Sequence, residues 1–157
     1  MGIPMDFAKL GAKDVLDIAM FVEGEAKERY ELLAQHWERA GNQPVAAFFH
    51  RMAGLEQLHA EQIAGQRQAM FGNAPSNYRD STPWEVEAPD ELRARAAASL
   101  RSAYELALEA EVRAHDYYAG ALEYLTDPKV AELFESLRQA EIQHQNFLKK
   151  ELDKLPA

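Results

Sequence analysis

Two short segments carry the same pair of metal-binding residue types. Glu56-Gln57-Leu58-His59 and Glu141-Ile142-Gln143-His144 each place a Glu three residues before a His. In a helix this spacing puts both side chains on one face, about one turn apart. Val45 and Phe49 precede the first pair as Val130 and Phe134 precede the second, all at an offset of 85 residues. Two more carboxylates, Glu23 and Glu111, are each followed seven residues later by a tyrosine, Tyr30 and Tyr118, at an offset of 88. Each of the four Glu interrupts an apolar stripe. Burying an ionised, unpaired carboxylate costs on the order of several kcal/mol, and four that converge repel one another. No Lys or Arg lies on the stripes to neutralise them. Two divalent cations would, setting four positive charges against four negative ones. Oxygen and imidazole ligands without sulfur suit Fe or Mn, and Zn can load such a set.

The elements that must position these residues are four helices. The first is predicted over about 13–40, with the seam Leu16, Ala19, Glu23, Ala26, Tyr30, Leu33, Trp37 in steps of three and four. Gly41-Asn42 stops it, and Pro44 suits the first turn of the next helix. That second helix runs to about Met70 along Val45, Phe49, Met52, Glu56, His59 and Ile63. Gly72 ends it. Residues 72–90 hold three prolines and no helical period, which predicts a long crossover anchored by Trp84 and Val86. A third helix is expected from Asp90, as N-cap, to about Leu125, with Leu100, Tyr104, Ala107, Glu111, Ala114, Tyr118 and Ala121 on its seam. Thr126-Asp127-Pro128 turns into a fourth, which runs to about Leu155 along Val130, Phe134, Leu137, Glu141, His144, Leu148 and Leu152. Residues 1–12 form an irregular arm or a brief helical turn. The fold expected is all-α: two duplicated antiparallel helix hairpins joined by a long crossover into one four-helix domain over residues 1–157.

Glu25 rivals Glu23, and Glu109 rivals Glu111. Both rivals lie off the stripe and lack a tyrosine seven residues on, so Glu23 and Glu111 are preferred. Tyr30 and Tyr118 suit either core packing or a place beside the ligands. His36, His50 and His115 have no partner at ligand spacing and read as surface or packing residues. His115, one turn after Glu111, is the one of the three that would approach the ligands.

The totals set limits. With 157 residues the chain is long enough for one domain with a core of its own. Seventeen Lys and Arg against 26 Asp and Glu give a net charge of −9, which argues against nucleic acid and anionic membranes as partners. There is no cysteine, so disulfides, thiolate metal sites and a catalytic thiol are excluded. A reducing cytoplasm is the expected location. The N-terminus lacks the basic and apolar regions of a signal peptide, and no apolar run approaches the roughly 20 residues that span a bilayer.

At these residues the chain resembles the ferritin-like superfamily and, within it, the rubrerythrin group. The resemblance covers about Leu16 to Leu152. It rests on Glu23-x6-Tyr30, Glu56-x-x-His59, Glu111-x6-Tyr118 and Glu141-x-x-His144. It implies a left-handed four-helix bundle with two non-haem iron ions. The implied ligands are Glu23, Glu56, His59, Glu111, Glu141 and His144, with Glu56 and Glu141 bridging. Rubrerythrins also carry a rubredoxin domain with four cysteines, absent here, so a separate electron-donor protein is expected. Their additional Glu one turn after the third-helix ligand is Ala114 in this chain, and the haem-ligating Met of bacterioferritins is Gln57, so no haem is expected. The activity implied is that of an oxidoreductase reducing hydrogen peroxide or dioxygen. The alternatives are a ferroxidase that takes Fe2+ as substrate for iron storage, which needs a hollow multi-subunit shell, and a di-iron oxygenase, which needs an apolar pocket beside the metals. A homo-oligomer, by preference a dimer, is the expected assembly.

Overall fold

The computed structural model describes residues 6–77 and 98–156. A short 3-10 helix at Phe7–Lys9 precedes four long helices: α1 at Ala12–Arg39, α2 at Gln43–Phe71, α3 at Leu100–Leu122 and α4 at Pro128–Asp153. No described helix is long and apolar enough to cross a membrane.

Local chemistry marks the ends. Asp14, in the first turn of α1, accepts the Gly11 N–H at 3.2 Å. Between α1 and α2 the backbone at Gly41 adopts φ +82, a conformation open to glycine and strained for other residues. Asn42 then caps α2 by accepting the Val45 N–H, with Pro44 in the first turn. Gly72, at φ +57, ends α2. Asp127 caps α4 by accepting from Lys129 N at 2.9 Å and Val130 N at 3.1 Å, ahead of Pro128. α3 begins at Leu100, where Ser99 is extended (φ −164, ψ 164) and caps it by accepting from the Ser102 N–H at 3.0 Å. Trp84, Val86 and Asp90 lie outside the described residues.

α1 packs along α2 and α3 along α4, forming two hairpins that meet through α1 against α3 and α2 against α4. The core falls into two apolar blocks. One holds Val15, Leu16 and Ile18 of α1 with Ile63, Tyr117, Tyr118 and Phe134. The other holds Tyr30 and Leu33 with Phe49, Tyr104 and Leu148. The first block gathers the start of α1, the end of α2, the end of α3 and the start of α4. The second gathers the opposite ends. α2 therefore finishes at one end of the bundle and α3 begins at the other, which explains why the second connection is long and the other two are short. The start of that connection is clamped to the bundle. Arg67 bonds Asp17 (2.8 Å), the Gly72 carbonyl (2.8 Å) and the Ala74 carbonyl, and Lys13 donates to the Pro75 carbonyl at 2.6 Å. Asp17, only 5% exposed, has its charge met by Arg67 and by Lys13 at 3.5 Å.

Candidate metal centre

Between the two apolar blocks, all four helices turn acidic or imidazole side chains inward. Glu23 comes from α1, Glu56 and His59 from α2, Glu111 from α3, and Glu141 and His144 from α4. The four carboxylates are at most 3% exposed, His144 is 3% and His59 is 13%. Among the described residues their ligand atoms form two overlapping groups of four, each within 4.8 Å: Glu23, Glu56, His59 and Glu141, and then Glu56, Glu111, Glu141 and His144; Glu56, His59 and His144 form a third group of three. Glu56 and Glu141 belong to both groups of four. Each of those two groups offers three carboxylates and one imidazole, and the shared pair lies where two adjacent cations would need bridging.

The unmet polar atoms test whether cations fit. Both oxygens of Glu56, both of Glu141, Glu23 Oε2, and the Nδ1 atoms of His59 and His144 are buried without a hydrogen-bond partner. Leaving one such group unsatisfied costs about 1–3 kcal/mol. His144 Nδ1 faces Glu56 Oε1 at 2.7 Å and Glu111 Oε2 at 3.4 Å. His59 Nδ1 lies 3.7 Å from Glu23 Oε2 and 3.9 Å from Glu56 Oε2. The 2.7 Å approach is not a hydrogen bond by its angles, so the two atoms converge on a common point without joining each other. Orphaned oxygens and nitrogens aimed at one place suit divalent cations with mixed oxygen and nitrogen ligands. The two imidazole rings lie parallel, 5.4 Å apart.

Electrostatics without cations shows the same pressure. Burial, and then the neighbouring charges, hold the Glu56 and Glu141 carboxyls well above the ordinary range. Burial acts upward on Glu23 and Glu111 too, but is outweighed. The close approach of Glu56 and His59 and the Tyr118 hydrogen bond lower Glu23, and the close approach of Glu141 and His144 and the Tyr30 hydrogen bond lower Glu111. Without cations the shared carboxyls thus favour the protonated form and the outer ones the charged form. Cations would replace those protons.

The tyrosines are paired differently from their sequence spacing. Tyr30 does not meet Glu23, seven residues before it. Its hydroxyl donates across the hairpin boundary to Glu111 Oε1 at 2.5 Å, and Tyr118 donates to Glu23 Oε1 at 2.5 Å. Each hairpin therefore steadies the other's outer carboxylate. Burial and the adjacent carboxylates push both phenols well above their usual pKa, so they stay protonated donors.

Of the other candidates, Glu25 is half-buried outside both ligand groups, and Glu109 is exposed. His115 pairs with Asp116 at 3.2 Å, His50 with Glu38 at 3.5 Å, and His36 sits edge-on to Trp37, so none of the three reaches the centre. Sequence reasoning passed over Arg29 and Tyr117. They immediately precede Tyr30 and Tyr118 and share their offset of 88, which was the available signal. Tyr117 is fully buried, and its hydroxyl donates to the Val15 carbonyl at 2.7 Å.

The rubrerythrin family model matches residues 14–152. The crystal structure of an uncharacterized conserved protein from Magnetospirillum magnetotacticum MS-1 is similar over 94% of this chain and 97% of its own, with a TM-score of 0.74 and 29% identity. No curated protein matches.

Proposed function

Because the chain belongs to the rubrerythrin family, whose members are in general di-iron redox proteins, we propose that it binds two iron ions at this centre and reduces hydrogen peroxide there. Glu23 and His59 would hold one ion, Glu111 and His144 the other, and Glu56 and Glu141 both. When bound, an iron pair supplies the two electrons that hydrogen peroxide needs, with two protons, to become two waters. The observation that carries this reading is the pair of overlapping ligand groups with two carboxylates in common.

The chain's own residues set the conditions. Tyr30 and Tyr118 keep their hydroxyl protons on Glu111 and Glu23 and fix the orientation of those carboxylates. The apolar blocks on either side keep bulk water from the centre. Electrons must reach it from outside these 157 residues, which contain no cysteine for an iron–sulfur group.

The test is anaerobic loading with Fe2+, then mixing with hydrogen peroxide or dioxygen while following the near-ultraviolet absorbance of oxo-bridged ferric iron. Two irons per chain, oxidised faster by peroxide than by dioxygen, is the expected result. Faster oxidation by dioxygen, with iron uptake continuing beyond two per chain, would establish a ferroxidase instead.

A further inference from the structure

Beside the centre, between α1 and α3, the structure leaves a cavity of about 20 Å³. That is room for one water-sized molecule. Its inner wall is Tyr30 and Glu111, so it touches the outer carboxylate of the Glu111/His144 ligand group. Small side chains, Ala26, Ala110 and Ala114, keep the space open where the two helices meet. Arg29 lines it as well, and the Arg29 Nε is buried without a hydrogen-bond partner. A buried N–H of a guanidinium without an acceptor is costly. A ligand oxygen in the cavity would satisfy it.

We propose that this cavity is the docking pocket through which hydrogen peroxide reaches the centre, with Arg29 donating a hydrogen bond to a peroxide oxygen. The proposal rests on the peroxide-reducing reading above and adds where the oxidant binds and what recognises it. The volume admits a molecule of about that size and little more. The chemistry selects a small molecule with an oxygen acceptor, since a guanidinium donates and never accepts. Glu25 and Arg113 line the cavity too, so its wall carries both signs of charge.

Arg29 is a positioning residue here, so its test needs readings that a merely structural role would not separate. Arg29→Met removes the donor, and Ala110→Leu, at a half-buried position, fills the pocket. Each variant and the unaltered protein are titrated anaerobically with Fe2+, then oxidised by hydrogen peroxide and, separately, by dioxygen. Two irons should bind in all three proteins. Arg29→Met should lower the second-order rate constant with peroxide about tenfold, the loss expected for one charged hydrogen bond, and leave the dioxygen rate unchanged. Ala110→Leu should slow both oxidants. Peroxide rates unchanged in both variants, with the unaltered protein reacting normally, would overturn the pocket. An equal loss with both oxidants in Arg29→Met, or loss of iron, would overturn the role given to Arg29. If the unaltered protein itself fails to react with peroxide, it is the broader reading that falls.

Discussion

Arg29 and Tyr117 hold equivalent places in the two hairpins, and they treat the centre in opposite ways. Each immediately precedes the tyrosine that bonds a carboxylate of the centre. On the Tyr118 side, Tyr117 packs against Tyr118 and Phe134 and bonds the Val15 carbonyl. Phe7 then covers Tyr117 at 5.7 Å between ring centroids. Gly120 makes that cover possible, since a Cβ there would lie 2.7 Å from the Phe7 ring. On the Tyr30 side, Arg29 lines a cavity instead. The duplicated hairpins carry the same carboxylate and imidazole types at equivalent places and differ in what covers them.

The largest effects should appear where the halves are alike. Glu56→Ala or Glu141→Ala removes a carboxylate common to both ligand groups, so both irons should be lost. Glu23→Ala or Glu111→Ala should leave one iron per chain, measured by metal analysis after anaerobic loading. Equal losses from all four variants would break the distinction between shared and outer carboxylates. Next comes the covering layer. Tyr117→Ala empties a fully buried site and should cost about 3–5 kcal/mol in urea unfolding of the metal-free protein. Arg29→Met should stay within about 1 kcal/mol. Similar costs would mean that the two sides are equally sealed. Tyr117→Phe, which removes the bond to Val15 and keeps the ring, should cost about 1 kcal/mol.

A pH series separates the shared from the outer carboxyls in the metal-free protein. Glu56 and Glu141 have folded pKa values raised above their ordinary 4.5. Their contribution is fully present below that value and is lost as pH rises through the folded pKa. Glu23 and Glu111 have lowered values, so their contribution is present above 4.5 and fades as pH falls below it. The melting temperature of the metal-free chain should therefore fall as pH rises from 4.5 through the raised folded values of Glu56 and Glu141. Bound cations, which take the place of the shared protons, should remove that fall.

Much of this was legible in the sequence, for a physical reason. A carboxylate on an apolar stripe is anomalous at any single position, and the offsets of 85 and 88 turned four anomalies into one pattern. The seams also carried the fold: Leu16, Phe49, Ala107 and Phe134 are all buried as the periodicity required. What escaped depended on contacts between helices. The spacing links Tyr30 to Glu23, but the bond runs to Glu111 because the hairpins pack face to face. The Ser99 cap of α3 lies inside a stretch whose spacing gives no stop before Leu100. Asp17 lies buried against Arg67, fifty residues away, and no local pattern announces such a pair. The cavity is lined by three alanines from two helices, and no spacing along the chain announces that they meet.

The most direct test of the two-ion centre is a crystal structure of the iron-loaded protein with anomalous scattering measured at the iron edge. Two peaks per chain are expected, about 3.5–4 Å apart, one beside Glu23 and His59 and the other beside Glu111 and His144, both within reach of Glu56 and Glu141. A single peak, or iron bound only at surface carboxylates, would contradict it.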